Sequence, residues 1–133
     1  MVCCAPLEID VDTPQLDEAS QPLAQAWQQC LLLAGPAAAA LLHAVAADAP
    51  PTLAQRFYEV LLQDTRARRF LSHEQVKQRL QPAMQRWLAQ LLTTDADGIA
   101  ATVAAQRVIG DVHARVGIPV DLEARGARVL KHE

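Results

Sequence analysis

Apolar positions along the chain recur three and four apart, the period of a helix face, and no stretch alternates as a half-buried strand would. A first helical pattern runs from near Pro22 to Leu33, with Trp27 and Leu31 four apart. Gly35-Pro36 punctuates it, and a second, alanine-rich pattern continues to about Asp48. Proline costs nothing in the first turn of a helix, because its missing N–H would find no partner there. Pro50-Pro51 forces a break. In "TLAQRFYEVLLQD", Leu53, Phe57, Val60 and Leu61 share a face, with Tyr58 on its flank. Ser72, followed three residues later by Gln75, predicts a capping box. The helix it opens carries Val76, Leu80, Met84, Trp87, Leu88 and Leu91, ending near Leu92. That stripe stays in phase past Pro82, so the proline predicts a kink rather than an end.

Thr93-Thr94-Asp95 offers caps for a helix from about Ala96 to Arg115. Its apolar face reads Ile99, Val103, Ile109 and Val116, with Gln106 between and His113 in line. Gly117 suits a left-handed C-terminal cap, and Pro119 opens a last helix with Val120, Ala124 and Val129 on its apolar side. The chain is predicted to be all-α.

Length adds that 133 residues make one domain with one core. Residues 1–20, acidic and Pro-punctuated, are expected to be a loose leader before a folded domain over 21–133. Apolar residues make up 51% of the chain, and Ala and Leu dominate over two Trp, one Tyr and two Phe, as in helix-rich globular proteins. A net charge of −3 gives no electrostatic footprint for nucleic acid or an anionic membrane. The one dense basic run, Arg66-Ala67-Arg68-Arg69, is expected to be a solvated turn. The apolar run from Cys30 to Ala47 is interrupted by Gly35, Pro36 and His43, so no membrane span is expected. Cys3, Cys4 and Cys30 are odd in number and lack metal-site spacing, which fits free thiols in a reducing cytoplasm.

The chemistry concentrates on His113 in "VIGDVHARVGIP". A buried imidazole needs partners for two ring nitrogens, or a metal on one of them. A core histidine bonded to a backbone carbonyl satisfies the spacing. No motif places a nucleophile beside it. His43, His73 and His132 have no i,i+3 or i,i+4 partner that would make a zinc site. A single imidazole in an apolar helical slot also suits haem iron, which takes four nitrogens from the porphyrin.

The run "FLSHEQVKQRLQPAMQRWLAQLL", followed at fixed distance by "VHARVGIPVDLEARGARVLK", resembles the globin domain of globin-coupled sensors. It is most similar to the haem sensor domain of direct oxygen sensor diguanylate cyclases. The likeness spans about Trp27 to Lys131, and "VHARVGIP" is its most specific part. It implies a globin-like fold binding haem b, with His113 as the proximal ligand to iron. The family's tyrosine that faces the bound gas matches Tyr58, the one tyrosine of the chain, and its distal leucine matches Leu80. Phe57, Met84 and Ile118 are candidate slot-lining residues, equally explained as core. His73 is expected to be exposed, and His43 is open to either reading.

The resemblance implies a dioxygen sensor, with carbon monoxide and nitric oxide as further ligands. Bound dioxygen carries partial negative charge on its outer atom, so a phenol donor stabilises it by about 1–3 kcal/mol, and carbon monoxide gains far less. Leu80 would keep water from the pocket. Two departures stand out: the chain stops at Glu133, early in the G helix, and no "GGDEF"-like stretch is present. The expected role is therefore the sensor portion of a cyclic di-GMP signalling system, without catalysis of its own, acting as a homodimer or with an associated output domain. Two rivals are a haem-free globin serving as a helical interaction module, and an oxygen-handling enzyme such as a dioxygenase.

Overall fold

Helix α1, Gln21–Asp48, opens behind a 3-10 turn whose Ser20 N–H donates to the Asp17 carboxylate at 3.2 Å. It bends at Gly35, where φ is 78° and ψ −176°, so the predicted punctuation is a kink between two helical halves. The computed structural model describes residues 15–132, and every regular element in that span is helical. Cys3 and Cys4, and most of the expected leader, lie outside the described residues. By length and composition alone Glu18–Asp48 is apolar enough to cross a membrane, and its most apolar stretch is not buried within the fold. In the fold, Ala24 of this segment is buried, and Trp27 and Leu31 pack with it against Ile99 and Val103.

The break at Pro50-Pro51 starts α2, Pro50–Leu61, which buries Ala54, Phe57, Tyr58 and Leu61. Tyr58 was expected on the flank of this helix; only 1% of it is exposed. Its ring meets Phe57 edge to face, centroids 5.0 Å apart, and both adjacent positions share the interior closed by the helices packed on α2. The capping box forms at α3, His73–Gln75, where Gln75 N–H donates to Ser72 Oγ and Ser72 N–H to Gln75 Oε1. A π-helical turn, Val76–Leu80, leads into α4, Gln81–Thr93. Pro82 has no N–H to give back to the preceding turn, and the wide turn just ahead of it absorbs the mismatch. The stripe holds phase, with Val76, Leu80, Met84 and Leu88 all buried.

Helix α5, Ile99–Val116, starts three residues later than the sequence suggests. Thr93 and Thr94 turn their hydroxyls back to Ala89 and Gln90 carbonyls, and Asp95 instead accepts the Gly98 N–H at 2.8 Å, holding residues 96–98 in a turn. Gly117 then stops the helix with φ 81° and ψ 32°, the left-handed cap that a glycine adopts without strain.

The last helix, α6, Val120–His132, turns a different face inward from the one expected. Leu122 and Gly126 are buried, while Val120 is 78% exposed and Ala124 is exposed. Gly126 sets this phase, because the Phe57 ring occupies the space its Cβ would take. α2 packs on α4 and α6, and α1 on α4 and α5. The main core lies between α2, the π turn, α4 and α6, and a smaller one between α1 and α5.

Candidate haem-binding site

His113 sits one turn before the end of α5 and is 8% exposed. Its own carbonyl accepts the Gly117 and Ile118 N–H groups at 3.0 and 3.1 Å, so the turn that reverses the chain is built on this residue. Pro119 opens α6 by accepting from Leu122 and Glu123 N–H groups. The reversal brings Glu123 to His113: Oε1 stands 3.0 Å from Nδ1. An imidazole N–H donates at that distance.

The other sequence-selected residues come together in one cluster. Phe57 and Tyr58 on α2, Leu80 in the π turn, Met84 on α4 and Ile118 in the α5–α6 turn all belong to the main core. Ile118 also links that core to His113, since it belongs to both the cluster and the turn. A groove of about 800 Å3 runs beside this cluster, lined by Tyr58, Leu62 and Val76 and by the polar Arg68, His73 and Lys77. His73 is exposed there, and His43 is exposed on α1 beside a separate groove of about 300 Å3 at the Gly35 bend. Between Ile118, Leu122 and Glu123 and the facing Leu61 and Leu71, only about 10 Å3 is open, barely enough for one water.

Charge clamps the helix that carries Glu123. Arg66 donates to Asp64 at 2.9 Å and to Asp121 at 2.7 Å, and Arg125 reaches Asp64 at 3.4 Å. The side-chain bond from Arg66 and its backbone N–H hold the Asp64 carboxyl at about 2, below the ordinary 3.8. The run from Arg66 to Arg69 was expected to be only a solvated turn. Its arginines are exposed, but Ala67 is fully buried, Arg66 joins the α2–α3 connection to α6, and Arg68 caps the Leu62 carbonyl at 2.7 Å. Sequence reasoning missed Glu123, Gly126 and this clamp. Glu123 and Gly126 depend on where the Gly-Ile-Pro reversal aims α6, which residue types alone do not say.

The donor set can be tested against haem. Among the described residues no group of three or more His, Cys, Asp or Glu is placed to hold an ion. A single buried imidazole, its second nitrogen held by a carboxylate, beside a cluster of Phe, Tyr, Leu, Met and Ile, matches a metal that brings its own four nitrogens. The residues fit the group.

The chain matches the protoglobin family over residues 23–133. It is 40% identical over 79 residues to the diguanylate cyclase DosC of Escherichia coli K12, a stretch covering 59% of this chain and 17% of that protein. The Shigella flexneri DosC gives the same identity over 79 residues, with 59% of this chain and 21% of that protein covered. The chain thus spans about a fifth of the length of these relatives. Its fold is similar to the ferric globin domain of E. coli DosC, with TM-score 0.77 and 34% identity over 83% of this chain and 74% of that one. The ferrous form gives TM-score 0.78 and 33% identity over 84% and 74%.

Proposed function

The chain belongs to the protoglobin family, and from that membership we propose that it binds haem b through His113 and senses dioxygen. The observation that carries this reading is the burial of His113 at the end of α5, with Nδ1 engaged by Glu123 and the apolar cluster of Tyr58, Leu80, Phe57, Met84 and Ile118 at hand. Haem, when bound, supplies an iron centre that takes a diatomic gas. Tyr58 serves as the hydrogen-bond donor to that gas, since its buried phenol acts in surroundings where such bonds are strong. Leu80 excludes water, and Phe57, Met84 and Ile118 give the apolar walls a porphyrin needs.

The role assigned is that of a sensor without catalysis of its own. Relatives named as diguanylate cyclases support placing it in cyclic di-GMP signalling, with output from an associated domain or a second copy of the chain. The setting that goes with this role is a reducing cytoplasm, where thiols such as that of Cys30, exposed on α1, stay unpaired. Carbon monoxide and nitric oxide enter as competing ligands.

The test is to load the chain with haem, reduce it under nitrogen, and add dioxygen or carbon monoxide. Distinct, reversible absorption changes with each gas are expected. A loaded, reduced protein whose spectrum ignores both gases would contradict the sensor reading.

A further inference from the structure

We propose that Glu123 is a positioning residue for His113: it holds the imidazole by Nδ1 and strengthens Nε2 as an electron donor toward the metal. The inference rests on the haem reading above and adds a residue that reading does not use.

Three features of the turn set up the contact. The His113 carbonyl is engaged by Gly117 and Ile118, which fixes the backbone beneath the ring. Glu123 follows Leu122, which is buried in the main core, so its Cα has little freedom. The Arg66–Asp121 and Arg125–Asp64 pairs flank it on the same helix and tie α6 to the α2–α3 connection. With the backbone anchored at both ends, the carboxylate of Glu123 reaches the ring, Oε1 standing 3.0 Å from Nδ1.

A carboxylate is a stronger acceptor than a backbone carbonyl, because its charge pulls on the N–H. Accepting the Nδ1 proton fixes the tautomer with the lone pair on Nε2 and gives the ring partial imidazolate character. Such a ring binds iron more firmly and favours the oxidised metal. Glu123 also lies in the first turn of α6, where the helix N-terminus stabilises its negative charge.

The experiment compares the parent with Glu123→Gln and Glu123→Ala, each loaded with haem and checked for parent-like helicity by circular dichroism. Gln keeps an acceptor oxygen without the charge, and so guards against simple loss of shape. Resonance Raman of the ferrous proteins reads the iron–histidine stretch, and redox titration reads the midpoint potential. The stretch should fall in Gln and further in Ala, the potential should become more positive, and the haem dissociation constant should rise about tenfold. Parent-like stretch and potential in both variants, with His113 still the ligand, would overturn this inference and leave the haem reading intact. A parent showing no iron–histidine stretch would overturn both.

Discussion

Gly126 on α6 lies against the ring of Phe57 on α2, so closely that a Cβ at that glycine would fall 2.7 Å from Phe57 Cε2 and 2.9 Å from Cζ. The two helices meet there without a side chain between them. Phe57 belongs to the main core, and the same α6 carries Glu123 to His113. The glycine therefore sets the distance between the tyrosine-bearing helix and the element that buttresses the histidine.

Gly126→Ala tests that relationship through the sign of its effect. In an open helix interior the change stabilises by about 1 kcal/mol. Overpacking against a buried ring costs about 1–3 kcal/mol, so net destabilisation is expected. Urea unfolding should show a lower midpoint at unchanged slope, with most of the loss recovered in Gly126→Ala/Phe57→Leu. A stabilised single variant would contradict the packing.

The Asp64 clamp makes a statement about acid. Its folded carboxyl ionises at about 2, below the ordinary 3.8, so its contribution is full above 3.8 and disappears as pH falls from there through 2. Asp64→Asn should lower stability near neutrality and flatten the fall between pH 4 and 2. Thermal unfolding of both proteins across that window measures it; parallel curves would show that the arginines do not stabilise the fold through this group.

Tyr58→Phe separates a dioxygen sensor from a generic haem protein. It removes one hydroxyl and keeps the edge-to-face packing on Phe57. A loss of about 1.4 kcal/mol is a tenfold rise in the dioxygen dissociation constant, appearing mostly as faster release. Carbon monoxide affinity should move much less. Stopped-flow release rates equal in parent and variant would remove Tyr58 from the gas site.

Much of this was legible in the residues. The 3-4 stripe through Val76, Leu80, Met84 and Leu88, the Ser72–Gln75 box and the Gly117 cap are local, and local spacing determines them. Tyr58 was harder, because helical period alone puts it at the edge of a face, and its burial depends on what α4 and α6 bring over it. α6 was misphased for a related reason: Val120 and Ala124 look apolar, but the inward side is chosen by Gly126 under Phe57, which is a tertiary fact. Glu123 reads as an ordinary acidic residue of a first turn until the chain reversal places it beside His113.

The central claim is that His113 holds haem, and a haem titration of the purified chain followed at the Soret band tests it most directly. His113→Ala removes the buried imidazole, whereas His43→Ala and His73→Ala alter exposed histidines and serve as controls. The account predicts saturation near one haem per chain in the parent and both controls, and loss of the ligated spectrum in His113→Ala with helicity retained. A His113→Ala protein that binds haem with the parent's affinity and spectrum would contradict it, and a parent that shows no Soret band would leave the fold as a haem-free helical module.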